Sequence, residues 1–387
     1  MARPSRPGGF FDLYTSGLNS GDLGRMFMRD APDAYRYFAR GIDVDLADLP
    51  WYRRWPLLVR RFFTAFTMKL SPARRVLFAT SVFLAVIGML VLFRGFGLHD
   101  VVLFPLTLTL PLPEWVNGTM WLALGFIGAN LLILLEVADR LTLKSELEIA
   151  RDIQQAMLPN GVKHASDAVI FGLTRPANTV GGDFYDILPQ PDGRVVIALG
   201  DVAGKGSPAA LLMALLLAML RTLVDEGLDG AGLVARLNVQ IARHSPPSRF
   251  ITFFYGLYDP RDGSMIYVNA GHLPGILRRA GGTFERVGES GGGLALGMFE
   301  EAAYEAHSVT IAPGDELVLF TDGITEAETP GGRPFEESGL EAVLTAQAAA
   351  DPETLSRAVF RAVEVHVDSA RLADDLTTLV LRRSSNA

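Results

Sequence analysis

The sequence predicts an α/β domain behind a pair of transmembrane helices, and three observations carry that expectation. Two long stretches without a charged residue fall between residues 76 and 135. From residue 162 onward, short apolar runs of strand type alternate with longer runs of helical period. Aspartates recur beside glycine where those apolar runs end.

Size and composition bound the rest. At ~150 residues per domain, 387 residues allow two or three domains. Apolar residues make up 49% of the chain and charged ones 20%, below the ~25% of an average globular protein, and the mean hydropathy is +0.25. A chain this apolar buries a large core, which excludes disorder for most of its length. It has no cysteine, which excludes a disulfide scaffold, a cysteine-ligated zinc site, an iron–sulfur cluster and a thiol nucleophile. The net charge of −8 is uneven: residues 1–75 hold 13 Lys/Arg against 7 Asp/Glu, and residues 136–387 hold 21 against 34. The acidic part repels phosphate backbones, so no nucleic-acid partner is expected, whereas metal cations suit it.

Residues 1–50 are rich in Gly, Asp and aromatic side chains and carry no readable motif. Residues 51–73 read as an amphipathic basic helix. Trp55, Leu58, Val59, Phe62, Phe63 and Phe66 share one face, and Arg53, Arg54, Arg60 and Arg61 lie off it. Such a helix suits a membrane interface or another protein's surface. Residues 74–136 hold two transmembrane helices. Val76 to Phe93 is 18 residues without a charge and Trp115 to Leu135 is 21, against the ~20 that a bilayer span needs. Between them, Val101–Pro113 contains Pro105, Pro111 and Pro113. It is too short and too proline-rich to span, and reads as an extracytoplasmic loop or a re-entrant segment. Basic residues gather before the first run and follow the second, which sets both termini, and the C-terminal domain with them, on the cytoplasmic side of a cytoplasmic membrane.

Residues 137–160 read as a helical linker. No Gly or Pro interrupts Glu136–Met157, and Leu143, Ala150 and Met157 stand seven apart with Leu147 and Ile153 between them. That pattern, about two heptads long, fits a short coiled coil and a homodimer through the linker. Pro159 and Gly161 end it. Residues 161–387 are the α/β domain. Val195–Leu199, Ile251–Tyr258, Met265–Asn269, Glu316–Phe320 and Leu376–Leu381 read as strands. Ala209–Val224, Leu340–Ala350 and Glu353–Val367 read as helices. The first has a fully apolar run of 12 residues, short for a span, which favours a buried core helix.

Acidic residues sit where strands meet turns at four sites. They are Asp183 in Gly181-Gly182-Asp183-Phe184-Tyr185-Asp186, Asp201 in Leu199-Gly200-Asp201-Val202, Asp322 in Phe320-Thr321-Asp322-Gly323, and Asp374-Asp375 before Leu376-Thr377. One Asp-Gly pair is an ordinary turn. Four such sites in one domain can hold hard divalent cations, with water completing an octahedral shell, so a dinuclear Mg or Mn site is a candidate. Other chemistries fail on spacing. Gly200–Lys205 has only three residues between its glycines, too few for a phosphate-binding loop. Gly181-Gly182-Asp183-Phe184 lacks the Glu of the diguanylate cyclase signature. Neither a Gly-x-Ser-x-Gly nucleophile elbow nor a His-Glu-x-x-His metal motif is present.

The ordered set of motifs from about Ser145 to the C-terminus resembles the bacterial metal-dependent serine/threonine phosphatases of the sporulation stage II protein E and sigma-factor-regulator type, related to protein phosphatase 2C. The matching stretches are Glu148–Pro159, the Gly-Gly-Asp-Phe-Tyr-Asp run, Gly200–Gly206, Asn269–His272, Thr321–Ala327 and Asp374–Thr377. The resemblance implies a four-layer α-β-β-α sandwich, protein phosphatase 2C-like, with two divalent cations, Mn2+ or Mg2+, at one end. Carried over by position, Asp183 and Asp201 match the paired catalytic metal ligands, with Asp201 the bridge. The Val202 carbonyl matches a main-chain ligand. Asp322 and Asp374 match the second metal's side, with Asp375 beside them. Water activated between the metals would attack a phosphoserine or phosphothreonine, with no phosphoenzyme. A phosphorylated regulatory protein, such as an anti-sigma-factor antagonist, is the implied substrate. A non-catalytic phosphoprotein-binding module on the same fold is the alternative. Eukaryotic relatives carry an Arg five residues before the first metal Asp. That position here is Asn178, with Arg175 nearby, so intrinsic phosphate binding is expected to be weak and to depend on docking of a protein substrate. His272 is expected to be structural, Asp186 a turn cap and Lys205 a solvated loop charge.

Overall fold

The computed structural model describes residues 67–68, 70–93, 96–113, 115–246, 249–289, 293–368 and 372–385. The chain divides into two compact units, Met1–Leu141 and Thr142–Ala387. The segment 1–50 and all but the last residues of the amphipathic helix expected over 51–73 lie outside the described residues.

In the first unit, α1 (Pro72–Phe93) leads into an antiparallel ribbon of β1 (Phe96–Leu103) and β2 (Leu106–Pro113), followed by α2 (Trp115–Met157), whose residues from Thr142 onward belong to the second unit. The second apolar run and the linker, expected as separate elements, share this one unbroken helix. Both helices are long and apolar enough to cross a membrane. Many of their large side chains, among them Phe83, Leu90, Phe126 and Leu134, are exposed, whereas glycines and Ser81 stand at their contact. A Cβ added to Gly88 would come within 2.7 Å of the Leu122 backbone nitrogen, and one added to Gly125 within 2.7 Å of the Ser81 carbonyl. Small residues at the contact and large ones outside is the pattern of helices packed in lipid. Arg74 at the start of α1 lies 2.7 Å from Asp139 and 3.2 Å from Glu136, so the start of α1 meets the end of the second apolar run.

Val101–Pro113, expected as a loop or re-entrant segment, is part of a paired ribbon. Leu106-Thr107-Leu108-Thr109-Leu110 alternates with period two and pairs residue by residue with β1. Pro105 lies in the turn, and Pro111 and Pro113 are tolerated because each strand of a two-stranded ribbon keeps a free edge.

In the second unit, β3 (Lys163–Ala165), β4 (Ala168–Arg175), β5 (Phe184–Pro189) and β6 (Val195–Val202) precede α3 (Ser207–Asp225) and α4 (Gly230–His244). Then come β7 (Ile251–Asp259), β8 (Ser264–Ala270), β9 (Gly275–Arg278), β10 (Phe284–Val287), β11 (His307–Thr310) and β12 (Glu316–Phe320). A single turn, α5 (Asp322–Thr325), is followed by α6 (Glu336–Ala346), α7 (Pro352–Val367) and β13 (Leu376–Arg383). The strands build two antiparallel sheets, ordered β10-β9-β12-β13-β4-β3 and β11-β8-β7-β6-β5.

Side-chain alternation stacks the layers. In β12, Leu317 and Leu319 join the core between the sheets, and Val318 and Phe320 pack with α6 and α7. In β13, Leu379 and Leu381 point to the first of these cores, Leu376 and Val380 to the second. Helices α3 and α4 cover the other sheet. By length and composition α3 also qualifies as a span, yet Ala209, Leu212, Met213, Leu216, Leu217, Leu220 and Val224 are buried in the domain. The result is an α-β-β-α sandwich.

The five expected strands lie within β6, β7, β8, β12 and β13. The helix expected at Leu340–Ala350 instead runs Glu336–Ala346. Gly230 and Gly232 hide α4 from a sequence reading, although Leu233, Val234, Leu237 and Ile241 form its buried stripe. Strands β9, β10 and β11 are four residues each, too short for a period to show.

Antiparallel pairing gathers the motif aspartates. Phe184 pairs with Gly200, so the start of β5 lies beside the end of β6. Phe320 pairs with Thr378, which sets the end of β12 beside the start of β13. Asp183, Asp201, Asp322 and the Asp374-Asp375 pair occupy those strand ends.

Candidate active site

The two sheets meet at Asp183, which is 4% exposed. Its Oδ2 accepts hydrogen bonds from Thr321 Oγ1 at 2.7 Å and Thr377 Oγ1 at 2.6 Å. Because the Thr377 hydroxyl proton is given to Asp183, Thr174 on β4 donates in turn to Thr377 Oγ1, at 2.7 Å. The Thr377 N–H donates to Thr321 Oγ1 at 3.1 Å. Sequence reasoning missed these threonines. Thr321 and Thr377 each stand within two residues of a motif aspartate, and the strand period was the signal available.

The loop carrying Asp183 is held from two sides. Asp375 accepts the N–H of Ala177 on Oδ1 and that of Gly182 on Oδ2, both at 2.7 Å. The approach is close enough that a Cβ on Gly181 would lie 2.3 Å from Asp375 Oδ2. From α2, the Gln154 amide grips Gly181 both ways, donating from Nε2 to its carbonyl (2.7 Å) and accepting its N–H on Oε1 (3.1 Å). Gln154 is buried and was not singled out from the sequence.

Asp201 and Val202 end β6, Asp322 opens α5, and Asp374 lies just ahead of β13. A Cβ on Gly182 would sit 3.0 Å from the Val202 carbonyl oxygen and 3.2 Å from Asp201 Oδ1, so both oxygens border the Asp183 loop. Asp374 accepts the Asp375 N–H on Oδ1 at 2.9 Å, and its Oδ2 lies 2.7 Å from Lys205 Nζ. Lys205, on a loop and half exposed as a solvated charge would be, is thus also an ion-pair partner of the cluster. A cavity of about 270 Å3 is lined by Asp201, Thr252, His272, Asp322 and Glu326 among others. Another, of about 420 Å3, is lined by Lys205, Gly323, Glu326 and Asp374 with Val367 and Leu372.

These carboxylates burden one another. Burial first, then the charges of Asp201 and Asp375, hold the Asp183 carboxyl well above the usual range, against the pull of the two threonine hydroxyls. Burial, then the Asp322 charge, pushes Asp201 up to about 6. Asp322 is raised by burial and by Asp374 and Glu326, with Lys205 pulling back.

His272 is buried, which pushes its imidazole down to about 4. Nε2 faces the Phe320 carbonyl at 3.1 Å, so it carries the proton, and Nδ1 accepts from Thr252 Oγ1 at 2.9 Å. Neutral and doubly bonded, it ties strands together, as expected. Asp186 is not a turn cap: it is 1% exposed and receives Arg221 Nε at 2.7 Å. Arg175 is paired with Glu364 on α7.

The donor set fits hard divalent cations by its chemistry, since it is all carboxylate and backbone oxygen. Burial first, and then the neighbouring carboxylates, disfavour the charge on Asp201, a cost that a bound cation would relieve. Among the described residues, no three His, Asp or Glu side chains already converge on one point at ion-binding distance.

Layer order and an oxygen-lined end define a class, the protein phosphatase 2C fold. The PP2C domain of SiaA from Pseudomonas aeruginosa matches with a TM-score of 0.56, over 63% of this chain and 98% of that one, at 22% identity. Sequence narrows the class. The family described as Stage II sporulation protein E (SpoIIE) matches residues 191–384. Phosphoserine phosphatase RsbU of Bacillus subtilis is 30% identical over 242 residues, 62% of this chain and 71% of that protein. The chain belongs to the SpoIIE family of PP2C-type, metal-dependent serine phosphatases. Protein IcfG of Synechocystis sp. is also 30% identical, over 280 residues and 65% of this chain, a match that spans 44% of IcfG's length.

Proposed function

We propose that the chain is a membrane-anchored protein serine/threonine phosphatase that hydrolyses phosphoserine or phosphothreonine on a cytoplasmic regulatory protein. Asp183, Asp201, the Val202 carbonyl, Asp322 and Asp374 would hold two divalent cations, Mn2+ or Mg2+, with Asp201 shared between them. When bound, such ions supply the acidity that lets water attack phosphorus at neutral pH, and they offset charge building on the phosphoryl oxygens. The chain's own residues prepare the site. Thr321 and Thr377 fix the Asp183 carboxylate, and Asp375 and Gln154 fix its loop. The carrying observation is that antiparallel pairing brings four acidic strand ends from two sheets to the same end of the sandwich, around the buried Asp183 carboxylate.

The domain plan follows the same reading: an N-terminal segment (1–50), an amphipathic helix (51–73), two transmembrane helices (74–136), a linker (137–160) and the phosphatase domain (161–387). The exposed apolar faces of α1 and α2 support membrane insertion, and the Arg74–Asp139 pair supports a common, cytoplasmic side for both helix ends. Exposed Leu143, Ile149 and Ile153 on the linker support a homodimer through it. The name of RsbU supports phosphoserine as the substrate group, and an anti-sigma-factor antagonist is the kind of regulatory protein proposed.

The test is Mn2+-dependent hydrolysis of a phosphoserine peptide and of p-nitrophenyl phosphate by the full chain in detergent, beside Asp201→Ala. Activity that needs metal and disappears in the variant is expected. No turnover together with no Mn2+ binding would make the chain a phosphoprotein-binding module instead. Protease cleavage of the C-terminal domain from outside intact cells would overturn the topology.

A further inference from the structure

We propose that Lys205 is the phosphoryl-binding residue of this site, holding a non-bridging oxygen of the substrate and of released inorganic phosphate. This deepens the phosphatase reading and rests on it. Beside metal ions, a side-chain cation strengthens the hold on a phosphoryl group through a charge-assisted hydrogen bond. Position 178 is an asparagine, and the Arg175 guanidinium is committed to Glu364.

The loop after β6 supplies the missing charge. Gly204 and Gly206 flank Lys205 with φ of +102° and +77°, a left-handed backbone that other residues avoid. The loop so formed brings the lysine side chain to the carboxylates. Its Nζ lies 2.7 Å from Asp374 Oδ2 and 2.5 Å from the Ala373 carbonyl oxygen. An ammonium has three protons. Two are engaged, which leaves one, and Lys205 lines a cavity of about 420 Å3 together with Gly323 and with Glu326, Glu328 and Asp374, whose carboxylates are opposite in charge to the ammonium. The side chain is 51% exposed, so a substrate can reach it. Lys205 is also the cation whose charge acts on Asp322, one of the proposed metal ligands. Arg249 supports the loop from its other face, donating from Nη1 to the Ala203 carbonyl at 2.6 Å. An ammonium held beside Asp374 and open to the cavity is arranged to take an anionic oxygen in a charge-assisted hydrogen bond.

The test is calorimetric titration of inorganic phosphate into the Mn2+-loaded full chain in detergent, for wild type, Lys205→Met and Lys205→Arg. Lys205→Met should weaken phosphate binding about tenfold or more, as loss of a hydrogen bond to a charged group does. It should raise KM for p-nitrophenyl phosphate more than it lowers kcat, and it should not weaken Mn2+ binding. Lys205→Arg should restore most of the phosphate affinity. Equal affinity in wild type and Lys205→Met overturns the proposal, as does absence of phosphate binding by wild type. Parallel loss of Mn2+ and phosphate binding also overturns it, by making Lys205 a support of the metal ligands. Calorimetry needs no turnover. A chain that binds phosphate through Lys205 yet hydrolyses nothing would keep this inference and sink the phosphatase reading. Circular dichroism checks the fold, and Lys205→Gln replaces Lys205→Met if the latter misfolds.

Discussion

Asp375 is buried and spends both oxygens on backbone N–H groups of the loop that carries Asp183. Its chain neighbour Asp374 has a side chain 41% exposed, with one oxygen toward Lys205. The same contrast runs through the two flanks of the site. On one, Asp183 is sealed under two threonine hydroxyls and a doubly gripped loop. On the other, Asp322 and Asp374 border cavities and face a mobile-length lysine side chain. The first flank is set by folding, because its polar groups are paired before any ligand arrives. The second is left for ligands to complete, which is where chemistry with a changing partner belongs.

Asp201 lies between the flanks, and its removal should have the largest effect. Asp201→Asn should lower Mn2+-dependent hydrolysis on the order of a thousandfold, the upper range for losing one electrostatic stabiliser. Without metal the same variant should melt higher than wild type, since it deletes a charge that burial and Asp322 both oppose. Mn2+ should raise the melting temperature of wild type by mass action and EDTA should reverse this, with neither affecting the variant. A metal-free wild type that melts as high as Asp201→Asn would show that the carboxylates do not repel one another.

The threonines come next. Thr377→Val or Thr321→Val removes a donor to Asp183 without touching a ligand and should weaken Mn2+ binding about 10- to 100-fold, as loss of an outer partner does. The paired test of the flanks is Asp375→Asn against Asp374→Asn. The former puts an NH2 group against a backbone N–H and should cost about 1–3 kcal/mol of stability in a denaturant titration. The latter should leave stability nearly unchanged and weaken Mn2+ binding. Equal stability losses would erase the distinction between the flanks.

Legibility in the sequence followed the same division. The aspartates could be read because each stands where an apolar run meets a turn, three of them beside a glycine, and the long strands because β6, β7 and β12 are mostly apolar. The opposite duties of Asp374 and Asp375 could not be read, since they depend on where the Ala177–Asp183 loop passes, a contact nearly two hundred residues away in sequence. The ion pair of Lys205 could not be read because its partner Asp374 is equally remote. The β1–β2 ribbon was hidden by three prolines: Pro105 lies in its turn, and the tolerance of Pro111 and Pro113 depends on free strand edges, a property of pairing and not of composition.

The smallest expected effect tests whether the sealed flank has one support or two. Gln154 satisfies the carbonyl and N–H of Gly181, and Asp375 independently holds Gly182 and Ala177. Gln154→Ala leaves two backbone groups to find water in a buried spot, which should cost about 1–3 kcal/mol locally. The Asp375 contacts persist, so the loop should open more often without being lost. Amide hydrogen exchange should therefore accelerate at Gly181–Asp183, and Mn2+ affinity should fall a few-fold, while kcat at saturating Mn2+ stays near wild type. A fall in kcat at saturating metal would mean that α2 sets the geometry of Asp183 itself. Unchanged exchange would mean that Asp375 alone holds this flank and that Gln154 only fastens the end of the helix.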